Sequence, residues 1–151
     1  RFAQQKEMEQ PDLFTRITIS DYLFAKDRIF AHLTLNDHEL ALYEQFYQML
    51  EPRILKPDLV IFLQASTDTL LKRIRQRGRP FEKEMNPDYI ADVNEAYNQF
   101  FFHYSETPLL VINTSEIDFV HRREDLDDLL RQILSMKQGT QYYVPVSRGK
   151  K

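Results

Sequence analysis

Two short apolar runs constrain the fold of this chain more than any other feature. They lie in "PDLVIFLQAS", residues 57–66, and in "PLLVINT", residues 108–114. Continuous apolar runs of this length are typical of parallel strands that are covered on both faces. The β-branched stretch "TRITIS", residues 15–20, predicts a third strand. Because these strands alternate with helical segments, the sequence predicts an α/β fold with a parallel sheet, and we expect at least two further strands.

Helical spacing is clearest in "NDHELALYEQFYQMLE", residues 36–51, where Asn36 and Glu39 have the pattern of a capping box. Its apolar residues fall on two faces, so we expect this helix to be packed on two sides. One face carries Leu40, Tyr43, Tyr47 and Leu50, and the other carries Leu42, Phe46 and Met49. Further helices are predicted within residues 1–10, 66–78, 86–104 and 123–136, and the three consecutive phenylalanines at 100–102 are expected in the core.

Composition excludes several classes of function. The length of 151 residues fits one domain, for which we expect residues 1–135 to be folded and residues 136–151 to form a flexible tail. A formal net charge of −3 argues against a general nucleic-acid-binding protein, and no apolar run is long enough to span a bilayer. The chain has no cysteine, which excludes disulfides and suits a reducing compartment such as the cytoplasm. The four histidines are scattered, so neither a metal site nor a Ser/His/Asp arrangement is indicated.

The densest positive charge lies in "LLKRIRQRGRPFEKE", residues 70–84, with five cations from Lys72 to Arg79. Arg73 and Arg77 are four residues apart and share a helical face, whereas Arg79 lies beyond the helix-ending Gly78. The planar fork of arginine binds phosphate oxygens two at a time, and phosphoryl transfer needs several such groups to converge. The alternative is that these cations only solvate the helix and offset its dipole.

Three segments together resemble the deoxynucleoside kinase family, in particular its bacterial deoxyadenosine/deoxycytidine kinase type. "RIRQRGRPFE" resembles the family's lid, "SDYLFAKDRIFA" its segment after the third strand, and "NTSEIDF" its loop over the ATP base; the likeness runs from about Arg16 to Ile133. The resemblance implies a P-loop kinase-like, three-layer α/β fold. It also implies ATP-dependent phosphorylation of the 5′-hydroxyl of a deoxyribonucleoside, with ATP and Mg²⁺ as cofactors and a homodimer as the assembly.

The resemblance also assigns roles within the lid, which we place at about residues 72–85, and in the loop over the base. Arg77 and Arg79 would contact the transferring phosphoryl group, and Glu82 would bind the deoxyribose hydroxyl. Arg73 would stack on one face of the adenine of ATP. Phe119 would stack on the other face, with Asp118 beside it.

Nearer the N-terminus the resemblance assigns Asp27 and Arg1 to the nucleobase and Asp21 to Mg²⁺. Where the family has Asp/Glu-Arg-Ser, this chain has Asp21, Tyr22 and Leu23, so either Arg28 replaces the missing arginine or one phosphate contact is lost. Read on their own, Asp27 and Arg28 are equally well a surface ion pair, and Phe119 a core aromatic.

Glycine marks a larger departure from the family. A phosphate-binding loop needs G-x-x-x-x-G-K-[ST], whereas the chain has three glycines, none followed by Lys-Ser/Thr. We therefore expect the chain to be the C-terminal part of a kinase, with the central strand, the phosphate loop and the general base upstream, and to be inactive alone. Two alternatives remain open: a nucleoside monophosphate kinase such as thymidylate kinase, which would need cations near Glu82 and Asp27, and a non-catalytic nucleotide-binding or interaction module.

Overall fold

The computed structural model describes residues 17–82 and 85–145, which form two compact units, Arg1–Lys56 and Pro57–Lys151. The first unit contains helix α1, Lys26–Thr34, and helix α2, Asp37–Leu50, followed by a 3-10 turn, Glu51–Arg53. Asn36 accepts from the backbone of Glu39 while the Glu39 side chain accepts from the backbone of Asn36, so the predicted capping box is confirmed. The predicted helix within residues 1–10, and Arg1 with it, lies outside the described residues.

The second unit alternates strands with helices. Its elements are β1, Val60–Gln64; α3, Thr67–Arg77; a 3-10 turn, Pro80–Glu82; α4, Pro87–Phe102; β2, Leu109–Asn113; α5, Arg123–Ser135; and β3, Thr140–Tyr143. The helices predicted at 66–78, 86–104 and 123–136 are thereby confirmed.

The three strands form a parallel sheet in the order β1-β2-β3, with Phe62 opposite Val111 and Val111 opposite Tyr142. On one face, Phe62 stacks on Phe101 of α4 with their ring centroids 4.4 Å apart. Neighbouring strand residues point to opposite faces, so Leu110 and Ile112 of β2 lie on the other face, where they pack against α5. The arrangement is a three-layer α/β unit with a parallel sheet, as predicted.

Three strand predictions need correction. Residues 17–20 of "TRITIS" form no strand, since no described strand pairs with them, and Ile19 is 93% exposed. Over the described residues β1 is not covered on both faces, because Ile61 and Leu63, which share one face, stay partly exposed. The tail from 136 is not irregular throughout, because Thr140–Tyr143 pairs with the central strand β2.

Two predictions of burial are also wrong. Tyr47 on the first face of α2 is buried, but Leu42, Phe46 and Met49 on the second face are each more than half exposed. Of the three consecutive phenylalanines, Phe102 is exposed, because successive residues of a helix turn by about 100° and cannot all face one sheet. Among the described residues, no helix combines the length and apolarity needed to cross a membrane.

Candidate functional site

Helix α3 carries the cation cluster, and local sequence sets both of its ends. Ser66, two residues after β1, accepts a hydrogen bond from the backbone of Thr69 and caps the first turn. At the other end Gly78 adopts a left-handed conformation with a φ of 67°, and its N–H donates to Ile74. Glycine adopts this conformation without the strain that a Cβ would cause, so the chain leaves the helix here. Residues 79–82 then turn back beside the last turn of α3.

At this turn, Arg77 and Arg79 meet one carboxylate. Arg77 donates from Nε to Glu82 Oε2 at 3.0 Å and from Nη2 to Oε1 at 2.7 Å, a bidentate pair. Arg79 Nη1 lies 3.8 Å from the same Oε1. The Glu82 side chain is 8% exposed, whereas those of Arg77 and Arg79 are 52% and 56% exposed. A buried carboxylate therefore holds two arginines that present more than half of their surface to solvent.

Arg73, one turn earlier on α3, is bound quite differently. Its Nη1 donates to Thr114 Oγ1 at 2.9 Å, and its Nη2 donates to the carbonyls of Thr114 at 2.6 Å and Ile117 at 3.2 Å. All three acceptors lie in the loop that follows β2. The structure thus brings Arg73 to the segment that immediately precedes Asp118 and Phe119.

Asp118 and Phe119 have local partners in this loop. The Asp118 carboxylate accepts from the backbone and ring nitrogens of His121. These hydrogen bonds from His121, the side-chain bond first, lower the pKa of Asp118 below its ordinary value. Phe119 is half-buried and packs against the core around Leu110, Ile112 and Leu129. One part of this ring therefore belongs to the core, as the alternative interpretation of Phe119 as a core aromatic states.

The predicted site residues of the first unit are placed on or just before α1. Arg28 pairs with Glu44 at 3.2 Å and lies 5.0 Å from the ring centre of Tyr47. Asp27 accepts from the Tyr43 hydroxyl at 3.4 Å. Burial, with the charge of Asp27 second, raises the pKa of Tyr43 well above its ordinary value. Asp21 is exposed, and its carbonyl accepts from Lys26 Nζ.

Comparison with known proteins decides the family. The profile described as "Deoxynucleoside kinase" matches residues 1–137. The chain belongs to the deoxynucleoside kinase family. It is 35% identical over 119 residues to deoxyguanosine kinase of Bacillus subtilis (strain 168), covering 76% of this chain and 58% of that enzyme. The family that the three motifs indicated is thereby confirmed.

Solved structures give the same fold. Deoxyadenosine kinase from M. mycoides superimposes with a TM-score of 0.71 in a structure with bound dATP and 0.69 in one with bound dCTP. Each is 25% identical in sequence and covers 89% of this chain, and this chain covers 70% and 69% of them respectively. The P-loop kinase-like α/β fold is therefore confirmed, and the chain spans somewhat more than half the length of the B. subtilis enzyme.

The residues fit parts of an ATP and Mg²⁺ site. Arg77 and Arg79 suit phosphate oxygens, and the hydrogen bonds of Arg73 lie in the plane of its guanidinium, which is compatible with a base stacked on the guanidinium face. Over residues 17–82 and 85–145, no group of three or more carboxylates and histidines is placed to hold a metal. Asp21 alone fits Mg²⁺ only as one carboxylate ligand beside substrate phosphates.

Sequence reasoning missed Thr114 and the polar groups around it. Thr114 is fully buried, its N–H and Oγ1 both donate to the carbonyl of Gln64, and Gln64 Nε2 donates to Asn98 at 2.8 Å. The available signal was weak: a threonine ends "PLLVINT" and a glutamine follows the apolar residues of β1. Polar residues at the carboxyl ends of parallel strands lie where α/β proteins bind ligands.

Proposed function

We propose that the protein containing this chain is a cytoplasmic enzyme that transfers the γ-phosphoryl group of ATP to the 5′-hydroxyl of a deoxyribonucleoside. The observation that supports this best is the cluster of Arg77, Arg79 and Glu82, which surrounds Gly78 in the sequence. Its arginines are more than half exposed and converge on one carboxylate; Arg77 ends helix α3, and Arg79 lies just beyond Gly78, where the chain leaves the helix. Membership of the family gives the cluster its proposed chemistry.

In the proposed mechanism Arg77 and Arg79 neutralise the charge that develops on the transferring phosphoryl group. Such electrostatic stabilisation is the main contribution that a protein makes to phosphoryl transfer. The Glu82 carboxylate is an oxygen acceptor for the same guanidinium fork, so phosphate oxygens can exchange with it at Arg77. Glu82 accepts two hydrogen bonds from Arg77, and a carboxylate has about four lone-pair positions, which leaves capacity for a sugar hydroxyl.

Arg73 and Phe119 form the proposed site for the adenine of ATP, with Asp118 beside it. The edge of the Arg73 guanidinium is anchored by the loop, so its face is held in a fixed plane for stacking. Cation–π and stacking contacts of this kind favour a planar base. In the first unit, Asp27, Arg28 and Arg1 are proposed to bind the nucleoside, and Asp21 to supply one carboxylate to Mg²⁺, whose charge would offset that of the phosphates when bound.

A nucleoside monophosphate kinase is the second candidate. Its acceptor would need cations near Glu82, and Arg77 and Arg79 meet that condition. Glu82 itself neutralises one of these charges, however, and the family profile that matches the chain is that of the nucleoside enzymes. We therefore favour a nucleoside as acceptor.

The deciding experiment incubates the complete protein with ATP, Mg²⁺ and each of the four deoxynucleosides, and in parallel with dTMP, and identifies products by mass spectrometry. Deoxynucleoside 5′-monophosphate is the expected product. Formation of dTDP alone would establish the second candidate, and no phosphoryl transfer to any acceptor would favour the non-catalytic alternative. The 151-residue chain alone is expected to be inactive, because it contains no P-loop motif.

We also propose that the protein is a homodimer that packs through the exposed face of α2. Leu42, Phe46 and Met49 are 55%, 54% and 66% exposed and lie on one side of this helix. A Phe46→Glu variant is expected to be monomeric in sedimentation-velocity runs in which the unaltered protein is a dimer. Tyr89→Glu, at a partly exposed aromatic of α4, is the control and should leave the dimer intact.

A further inference from the structure

Arg73 is anchored by a residue for which the family motifs assign no role. Thr114 supplies two of the three acceptors of the Arg73 guanidinium, one through its hydroxyl and one through its carbonyl. Thr114 is 0% exposed, so water cannot replace its hydroxyl without a change in the packing. The position of Arg73 therefore depends on one buried side chain located 41 residues later in the chain.

The Thr114 hydroxyl has a defined orientation. Its Oγ1 donates to the carbonyl of Gln64 at 3.0 Å, and the backbone N–H of Thr114 donates to the same carbonyl at 2.7 Å. Because a hydroxyl carries one proton, its use toward Gln64 leaves the lone pairs of Oγ1 for Arg73. Thr114 thereby connects the carboxyl end of β1, the end of β2 and helix α3.

This connection reaches both parts of the proposed ATP site. Arg77 lies four residues after Arg73 on the same face of α3, about 6 Å along the helix axis. On the loop side, Arg73 also donates to Ile117, the residue before Asp118. Fixing Arg73 thus fixes the helix that carries the lid arginines and the loop that carries Phe119.

We propose that Thr114 is a positioning residue of the phosphoryl-transfer site. It holds Arg73, and through Arg73 it keeps helix α3 and the 114–119 loop in a fixed position relative to each other. The inference rests on the proposed kinase function. Thr114 is fully buried, so its proposed role is to hold Arg73 and not to contact ATP or the deoxynucleoside. A hydroxyl is required at this position, so serine should serve and valine, which has the same shape, should not.

The test compares Thr114→Val, Thr114→Ser and the unaltered complete protein in steady-state kinetics. Thr114→Val is expected to raise the KM for ATP roughly tenfold, the effect of losing one hydrogen bond to a charged group. The dissociation constant of the deoxynucleoside, measured without ATP, should stay unchanged, and Thr114→Ser should restore the KM. Thr107→Val is the matched control, since it removes a hydroxyl that bonds Tyr104 away from the lid, and it should leave the KM unaltered.

A double-mutant cycle separates positioning from general stability. If Thr114 acts through Arg73, Thr114→Val should change the KM for ATP little further in an Arg73→Ala background. Additive losses, or a Thr114→Val protein with the unaltered KM, would overturn the inference while leaving the kinase activity established. Should Thr114→Val fail to fold, Arg73→Lys tests the same contact, because lysine keeps the charge but lacks the fork. A normal KM in Arg73→Lys would overturn it as well, whereas an inactive unaltered protein would refute the proposed function itself.

Discussion

Arg73 and Arg77 stand one turn apart on the same helix face, yet their partners differ in kind. Arg73 is half-buried, and two of its three acceptors are main-chain carbonyls, at Thr114 and Ile117. Arg77 is 52% exposed and binds one side chain, the carboxylate of Glu82. Main-chain acceptors move only if the loop moves, whereas a side-chain carboxylate can be exchanged for another anion. Helix α3 is therefore held to the loop after β2 at Arg73, whereas its last residue, Arg77, is able to change partners.

This difference suits the two tasks that we propose for the helix. A base-stacking group needs a constant orientation, because preorganised contacts bind without a further cost of ordering. A group that stabilises a transferring phosphoryl needs to accept the substrate, hold its charge and then release the product. The following predictions test this division, from the largest expected effect to the smallest.

Removing Arg79, the cation just beyond the end of helix α3, should have the largest effect. In the complete protein, Arg79→Ala is expected to lower kcat on the order of a hundredfold to a thousandfold, because its contact strengthens in the transition state. Deoxynucleoside affinity should change little. Arg75→Ala, an exposed cation on another face of α3, serves as the control and should be active. Equal losses in kcat and affinity would contradict the assignment of Arg79.

Removing the carboxylate should affect the nucleoside more than the phosphoryl group. Glu82→Ala is expected to weaken deoxynucleoside binding roughly tenfold in calorimetry, because a hydrogen bond to the sugar hydroxyl is lost. Glu95→Ala, which removes an exposed carboxylate that bonds Gln99, is the control. If affinity is unchanged in Glu82→Ala, its role is limited to the arginines and the sugar assignment is wrong.

Gly78, at which the chain leaves helix α3, should be needed for turnover as well as for stability. A Cβ at Gly78 would lie 3.9 Å from the carbonyl oxygen of Gln76, an ordinary van der Waals contact, so the cost of Gly78→Ala arises from the φ of 67°. That cost is about 1 kcal/mol of unfolding free energy, measured by urea denaturation. Gly139 has a φ of 71° and open space around it, so Gly139→Ala should lose similar stability. Only Gly78→Ala should also reduce kcat. Equal kcat values in the two variants would contradict a role in turnover for the backbone conformation at Gly78.

The smallest expected effect concerns Asp118 in the loop. Its pKa is lowered from 3.8, chiefly by the hydrogen bond from the His121 side chain, so it stabilises the folded state above that value. The contribution should be lost as the pH falls through the lowered pKa of the folded state. We expect the difference in unfolding free energy between the protein and Asp118→Asn to shrink as the pH falls from 6 to 3. A constant difference would contradict this, and His121→Ala should abolish the pH dependence.

The sequence predicted what depends on neighbours within a few residues. The caps at Asn36 and Gly78 were identified because each one bonds backbone groups within about one helical turn. The same logic placed Arg73 and Arg77 on one face of a helix and Arg79 beyond its end, since helical spacing and a helix-ending glycine are local features. The predicted strand was wrong for residues 17–20, and the prediction of a flexible tail missed the strand Thr140–Tyr143. A strand requires a partner, and the sequence alone does not state which segment supplies it.

By itself, then, the sequence indicated the helix ends, the parallel α/β class and the family. Only the tertiary structure decided that Glu82 lies buried against Arg77, that Thr140–Tyr143 joins the sheet, and that Thr114 holds Arg73. Arg73 and Thr114 are 41 residues apart, and their contact exists because β2 lies beside β1 in a particular register. Register is set by the packing of the whole sheet, which no local pattern encodes.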